Sequence, residues 1–484
     1  MMELAGLLAA VVLGVQFVRW ADPVGGLRPR WAARLLEIGL GTGAGAAFAA
    51  LWFLLLLALG AANRWVLLGG ELAGIGVLTW LGKRRRVDAA GGVPGDAPPG
   101  WRWNWILALA LGLGLLLVAA AHVDTARLNP NGEFDAFAMW NARAKFLLGG
   151  GDTWQRAWSP MLIRQRPDHP LLLSAFVAGA WRVGGDAATP VAPFGAAMLF
   201  FWVGVLGTLV SSLALLRGMS AALLGCLVLI ANFSFLQQST WQYADIPLAL
   251  YFLGSFVLLF LSERTSGRSC TAALALSGAF ASFGAMTKNE GIPFLLLMAG
   301  CYSIVRWRSG GWIAAWKSVR IWTLGALPGA LLQAGFKIFL APSGGSFAGP
   351  SLGESLAFLG DPKRYLVVAS YLVSKLTELG SGLTHPLVLL LILVVTLRFR
   401  IDGRMKPLLV VAGAVMALQL AVYCGVYLTT LDVLEWRLGT SLHRLYSQLW
   451  PLFVFVTFLV LATPRDPEQA PPERSPTAKK KKKR

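Results

Sequence analysis

Short polar segments stand beside long apolar runs, and their residue types could carry out acid–base chemistry on an anionic substrate. In the first segment, Glu133 and Asp135 flank Phe134. A carboxylate can accept the proton of an attacking hydroxyl group, whereas Arg and Lys can stabilise the charge of a phosphate leaving group. The candidate residues for such chemistry are Glu133, Asp135, Arg143, Lys145, Asp168, His169, Asp245, Lys288, Glu290, His443, Arg444 and Gln448.

Each candidate also has a structural interpretation. Asp135 could simply begin a helix, because the helix N-terminus favours negative charge. Asp245 and Lys288, taken singly, could be interface anchors or members of salt bridges. Ionisable side chains at the ends of membrane-spanning helices are nevertheless costly unless they are paired or functional. Taken together, the candidates predict two acidic and two basic clusters on one membrane face.

An amphipathic helix is predicted to carry the first candidates. From Phe134 to Leu148 apolar residues recur at helical spacing, with Arg143 and Lys145 on the remaining surface. This pattern is typical of a helix that lies in the membrane–water interface. The bases are unusual for a segment outside the membrane, and an anionic ligand would be a physical reason for them.

Composition excludes a water-soluble protein. Of the 484 residues, 56% are hydrophobic and only 14% are charged, whereas a soluble domain carries about 25% charged residues. The apolar runs are close to the roughly 20 residues that a spanning helix needs, and they lack the alternation of a β-barrel. The fold class predicted is therefore an all-α integral membrane protein with an outside loop that carries interfacial helices.

About thirteen spans are predicted. A net charge of +19 could indicate nucleic acid in a soluble protein, but in a membrane protein Lys and Arg gather in cytoplasmic loops. The basic loops all fall on one side if the N-terminus lies outside and the C-terminus inside, with 171–183 and 363–382 as interfacial or re-entrant helices. The predicted spans are 2–18, 32–61, 64–82, 103–122, 190–216, 220–239, 244–262, 271–287, 290–306, 318–340, 384–398, 407–429 and 448–463.

The chain divides into a leading module and a core. We expect residues 1–82 to form three leading spans, which include a retained N-terminal span. A flexible cytoplasmic linker is predicted at 83–102, and a membrane core at 103–463 with a first outside loop at 123–170. The tail 464–484 ends in six basic residues. It is predicted to be disordered and cytoplasmic, and either to contact anionic lipid or to be a nonspecific charge run.

Two site types find little support in the sequence. The glycine run "GLGTGAG" (39–45) resembles a dinucleotide-binding loop. It lies inside an apolar span, however, where small residues let helices pack closely. The four cysteines lack metal-ligand spacing. A divalent cation between two carboxylates is conceivable, but no cofactor is firmly predicted and no metal ligand is assigned.

Five motifs resemble segments of the GT-C superfamily of polytopic glycosyltransferases. "GEFDAFAMWNARAKF" (132–146) is similar to the acidic motif in the first outside loop of the family, and "RPDHPLLLSAF" (166–176) to its Pro-rich entry into a juxtamembrane helix. "YADIPLA" (243–249), "TKNEG" (287–291) and "HRLYSQLWP" (443–451) are similar to recurring family segments. The resemblance is nearest to bacterial family-39-like members, relatives of protein mannosyltransferases and of the aminoarabinose transferases that modify lipid A.

The resemblance covers residues 103–463 and implies a reaction. A sugar would move, with inversion, from a polyprenyl-phosphate donor to a lipid or glycan acceptor of the cell envelope. The protein would lie in the cell (inner) membrane, with its site facing the periplasm or the cell exterior. Asp135 would be the base and Arg444 would hold the donor phosphate with Lys288 nearby. Asp245 and Glu290 would position donor or acceptor.

Three features depart from the family pattern. Phe134 separates the two acids of the first loop, which leaves the part played by Glu133 open. The three leading spans are not part of the usual core. There is no large soluble domain outside the membrane, so loops must recognise the acceptor.

Three other functions stay open at this stage. A transporter or flippase of lipid-linked saccharides would place its charges near the bilayer midplane and often shows internal repeats, neither of which the sequence indicates. A ligase or polymerising enzyme that uses lipid-diphosphate glycans fits the acidic first loop less well. An assembly subunit without activity leaves the clustered charges unexplained.

Overall fold

The chain folds as an α-helical membrane protein. A computed structural model describes residues 1–88, 102–342 and 349–464, and no β-strand occurs within these ranges. The helices are α1 (Met2–Ala21), α2 (Arg30–Ala58), α3 (Arg64–Asp88), α4 (Asn104–Leu128), α5 (Asn141–Gly149), α6 (Leu172–Gly184), α7 (Val191–Met198), α8 (Gly207–Leu216), α9 (Met219–Ile230), α10 (Phe233–Thr240), α11 (Asp245–Ser262), α12 (Gly267–Thr287), α13 (Gly291–Phe339), α14 (Leu352–Leu359), α15 (Pro362–Thr377), α16 (Pro386–Thr396), α17 (Lys406–Leu428) and α18 (Leu434–Val460).

Eight helical segments of the described chain are long and apolar enough to cross a membrane. A ninth is added if the bent pair α9 and α10 counts as one span. This establishes a multi-pass membrane protein, while thirteen spans are not confirmed. The eight segments are Met2–Ala21, Arg30–Ala58, Arg64–Lys83, Asn104–Leu128, Val191–Leu216, Asp245–Ser262, Gly267–Thr287 and Gly403–Leu428.

The span predicted at 220–239 is a bent pair of helices, which is either one broken span or a re-entrant loop. The chain bends by 76° between α9 and α10. Asn232 stabilises the start of α10, because its side-chain oxygen accepts a hydrogen bond from the backbone N–H of Phe235 at 3.0 Å. The bend brings α10 toward the polar segment that precedes α11.

Four other predicted spans have different bounds. The spans predicted at 290–306 and 318–340 are two limbs of α13, which is broken at Gly311 (φ 74°). The helix found within 384–398, α16, has only 11 residues, about half of what a spanning helix needs. The span predicted at 448–463 is the second part of α18, which begins earlier, at Leu434.

The two short helices predicted outside the spans are both present. α6 is buried along most of its length and packs against α1 and α2. α15 is largely exposed and packs against α17 and α18. α6 follows the first polar loop directly, so the leading helices brace the end of that loop.

Close backbone contacts hold the leading helices together. A Cβ atom added at Gly14 of α1 would lie 2.0 Å from the carbonyl oxygen of Gly41 in α2, and one added at Gly45 would lie 2.0 Å from that of Ala10. Only glycine permits this approach. The glycine run 39–45 therefore packs helices, which confirms that interpretation of the sequence.

Two predicted segments lie largely outside the described residues. These are the linker 83–102, of which residues 89–101 are not described, and the basic tail 464–484, of which only residue 464 is described.

Candidate functional site

One cavity of about 1180 Å³ is lined by half of the predicted site residues, namely Asp135, His169, Lys288, Glu290, His443 and Arg444. Its lining comes from four polar segments, 129–170, 237–245, 287–290 and 430–447, and from the neighbouring turns of α13 and α17. These segments are far apart in sequence and meet only through helix packing. The cavity is therefore the candidate functional site.

Asp245 lies at the base of the site, where the side chain is 0% exposed. It is the first residue of α11, so the helix N-terminus favours its charge. Its Oδ1 accepts hydrogen bonds from Lys288 Nζ at 2.8 Å and from Gln448 Nε2 at 2.5 Å. Its Oδ2 accepts one from Arg444 Nη2 at 2.9 Å. A buried carboxylate is tolerated only with such compensation, so Asp245 is a fixed anion that positions two cations.

Asp135 shares the guanidinium group of Arg444 with Asp245. Its Oδ2 accepts a hydrogen bond from Arg444 Nη1 at 2.5 Å. Unlike Asp245, Asp135 lines the cavity and keeps 20% of its side chain exposed. No hydrogen bond to its Oδ1 occurs among the described residues. Asp135 is thus held by one oxygen and can accept a proton on the other.

Tyr243 supports both partners of this ion pair. The guanidinium of Arg444 lies 4.4 Å from the centre of the Tyr243 ring, a cation–π contact. The Tyr243 hydroxyl accepts a hydrogen bond from the backbone N–H of Asp135 at 3.3 Å. Burial raises the pKa of Tyr243 to about 12, so its hydroxyl stays protonated at neutral pH.

The turn between α12 and α13 supplies the second cation. Lys288 Nζ lies 3.0 Å from Glu290 Oε1 in addition to its contact with Asp245. Gln419 of α17 donates to the backbone oxygen of Glu290 at 2.9 Å, which fixes the turn against α17. Lys288 is therefore shared between two carboxylates, as Arg444 is.

A loop centred on Asp168 closes another side of the cavity. Asp168 accepts hydrogen bonds from Arg166 Nε at 3.1 Å and from Asn289 Nδ2 at 2.9 Å, and its backbone oxygen accepts from Lys337 Nζ at 2.7 Å. Burial opposes ionisation of this carboxyl, but the pairing with Arg166 and the charge of Lys337 hold its pKa below the usual range. The loop is thereby tied to both ends of α13.

His169 and His443 also line the cavity. Burial lowers the pKa of His169 well below its ordinary value, so its ring is neutral near pH 7. His443 packs edge-on against Trp241, with the ring centres 5.9 Å apart. Both imidazoles are therefore placed to contact a ligand.

Arg143 does not line the cavity, and its predicted place on an exposed helix surface is wrong. It is 2% exposed, and its guanidinium donates to the backbone oxygens of Gln165, Arg166, His169 and Pro170 at 2.7 to 3.2 Å. Burial lowers its pKa to about 10, which leaves it charged at neutral pH. Arg143 therefore organises the Asp168 loop from behind.

Three further predicted residues lie outside the cavity lining. Glu133 is exposed, and its Oε1 accepts a hydrogen bond from Asn129 Nδ2 at 3.0 Å. Lys145 is also exposed. Gln448 is buried beneath the site, where it accepts a hydrogen bond from the Tyr423 hydroxyl at 2.7 Å.

Three polar residues of α17 that were not predicted as site residues follow a recognisable pattern in the sequence. Gln419, Tyr423 and Tyr427 are polar residues spaced by four within the apolar span of α17, so they share one face of the helix. Tyr423 and Tyr427 line the cavity. Other lining residues, Trp436 and Arg437 among them, carried no distinguishing pattern.

Neither a metal centre nor a relative identifies the site. The described residues contain no group of three or more His, Cys, Asp or Glu placed to hold a metal ion. No family model, curated protein or solved structure matches the chain. The chemistry of the cavity is therefore the basis for a functional conclusion.

Proposed function

We propose that the protein is a membrane glycosyltransferase that moves a sugar from a polyprenyl-phosphate donor to a lipid or glycan acceptor. The observation that carries the proposal is the pairing of Asp135 and Asp245 with a single guanidinium at a large cavity. One carboxylate is accessible and the other is buried. This arrangement provides a base next to a cation that can receive a phosphate.

The two sides of the cavity suit an amphiphilic donor. Val422 and Val426 of α17 line it together with Trp436, which is 63% exposed. Arg444 and Lys288 line it as well. An isoprenoid chain can lie against the apolar side chains while its phosphate reaches the cations.

The proposed reaction is a single displacement. An acceptor hydroxyl attacks the anomeric carbon from the face opposite the phosphate and loses its proton to Asp135 Oδ1. A new carbon–oxygen bond forms as the bond to the phosphate oxygen breaks. The polyprenyl phosphate leaves with the bonding electron pair, and Arg444 and Lys288 stabilise its negative charge.

The proposed topology follows the distribution of Lys and Arg. Thirteen spans, with the N-terminus outside, place the basic loops in the cytoplasm and the cavity at the periplasmic face of the inner membrane. The limbs of α13 would be two of these spans. The exposed position of α15 suits an interfacial helix on the cavity side.

The first test measures sugar transfer by purified protein from a panel of polyprenyl-phosphate sugars, with lipid-diphosphate glycans as a second panel. Wild type should transfer sugar from the first panel, and Asp135→Asn should bind donor without transferring it. Asp186→Asn is the matched control, since Asp186 pairs with Arg182 on an exposed loop. Transfer only from diphosphate donors would favour a ligase. Movement of intact lipid-linked sugar across vesicles would favour a transporter.

A further inference from the structure

The break at Gly311 forms an elbow in α13, at the end of its two limbs that lies away from the cavity. The first limb begins at Gly291, next to Glu290 in the cavity lining. From there to Gly311 is about 20 residues, or about 30 Å of helix, which is the thickness of the bilayer hydrocarbon core. The second limb returns to the cavity side, where Lys337 Nζ lies 2.7 Å from the backbone oxygen of Asp168.

Three tryptophan residues are exposed at this elbow. Trp307 precedes the break, and Trp312 and Trp316 follow it. Trp312 is 70% exposed, and its ring is nearly parallel to that of Trp316 with the centres 6.5 Å apart. Indole rings favour the headgroup region of a bilayer, where an apolar body and a polar N–H group are both accommodated.

Three exposed cations surround the tryptophans. Arg308, Lys317 and Arg320 are exposed, and none of them forms an ion pair with a described residue. α13 contains no Asp or Glu between Gly291 and Phe339. Arg306 differs, because its guanidinium pairs with Glu263 at 2.9 Å. The elbow therefore carries positive charge that the described protein does not neutralise.

We propose that the elbow, residues 307–320, binds the phosphate groups of anionic phospholipids in the leaflet opposite the cavity. The tryptophans set its depth at the headgroups, and the three cations lie where lipid phosphates are. A zwitterionic lipid carries a compensating ammonium group and satisfies these cations less well. This site is distinct from the cavity and does not depend on the proposed transfer reaction.

The experiment compares lipid retention by the full-length protein in detergent micelles. Phosphatidylglycerol or phosphatidylcholine is titrated, and bound lipid is counted by native mass spectrometry. The elbow variant combines Arg308→Gln, Lys317→Gln and Arg320→Gln. The matched control combines Arg398→Gln, Arg404→Gln and Lys406→Gln, which removes three exposed bases from a segment without tryptophan. The elbow variant should bind phosphatidylglycerol about fivefold more weakly for each cation removed, while wild type and control keep their preference for it.

A second variant, Arg308→Lys with Arg320→Lys, preserves the charge and should retain phosphatidylglycerol. If it loses the lipid as fully as the Gln variant, positive charge is not the determinant and the proposal fails. Equal losses in the elbow and control variants would mean that only net charge matters, which also overturns it. Displacement of the lipid by an equal concentration of inorganic phosphate would contradict a lipid-specific site.

Discussion

Asp135 accepts a hydrogen bond from Arg444, a residue 309 positions farther along the chain. The same guanidinium also donates to the buried Asp245 through Nε and Nη2, at 3.2 and 2.9 Å. The position of the accessible carboxylate therefore depends on a buried one that it does not touch. Substitution of Asp135 should therefore affect chemistry, whereas substitution of Asp245 should affect folding.

Asp135→Asn should lower kcat for sugar transfer by about 10²- to 10⁴-fold, because an amide cannot take the proton of the acceptor hydroxyl. Donor affinity should change little, since Arg444 and Lys288 remain in place. Steady-state kinetics together with equilibrium binding of the donor would measure both quantities. Full activity in the variant would place the base at another residue.

Asp245→Asn should destabilise the protein by about 3 kcal/mol, because it leaves two buried cations without their shared anion. Thermal unfolding in detergent would report the change. Asp186→Asn removes one carboxylate from an exposed ion pair and should cost less than about 1 kcal/mol. If the two variants lose similar amounts of stability, the burial of Asp245 contributes nothing to the stability of the protein.

Arg143→Lys should loosen the loop that carries Asp168. A single ammonium group cannot reach the four backbone oxygens that the planar guanidinium contacts. Hydrogen–deuterium exchange in residues 163–170 should become faster, and sugar transfer should weaken with it. Lys145→Gln, on the same helix but exposed, is the control and should leave exchange unchanged. If hydrogen–deuterium exchange is unchanged in Arg143→Lys, Arg143 does not organise the Asp168 loop.

The same loop should respond to acid. The folded-state pKa of Asp168 is held below its ordinary value of 3.8. The ionised carboxylate therefore stabilises the loop fully above about pH 4, and this contribution is lost as the pH falls further toward the folded-state pKa. Protection of residues 163–170 from hydrogen exchange, corrected for the intrinsic rate, should be constant from pH 7 to 5 and fall below pH 4. Asp168→Asn should abolish the fall, and a fall that persists in this variant must have another source.

Apolar run length was enough to predict an α-helical membrane protein and most of its helices. It could not predict the 76° bend after α9 or the short α16. Hydropathy averages over about 20 residues, whereas the bend depends on one cap at Asn232 and on the packing of α10. The break at Gly311 also depends on a backbone conformation that glycine permits but does not require.

The candidate site was predictable as a set of residues but not as a network of contacts. Charges at the ends of apolar runs identified Asp135, Asp245, Lys288 and Arg444. Which cation contacts which carboxylate depends on how α18 packs against α11, and no local pattern encodes that. Arg143 was misplaced for a related reason, because its partners are backbone oxygens of a loop more than 20 residues away.

The bend between α9 and α10 also limits the order in which the protein can be assembled. Gln238 of α10 donates to Ser447 Oγ of α18 at 2.6 Å, and α18 also supplies Arg444 and Gln448 to Asp245. α18 is the last helix of the described chain, and synthesis runs from the N-terminus. A nascent chain therefore inserts Asp245 well before its partners Arg444 and Gln448 exist, and the cavity is completed only when α18 docks against the bent pair.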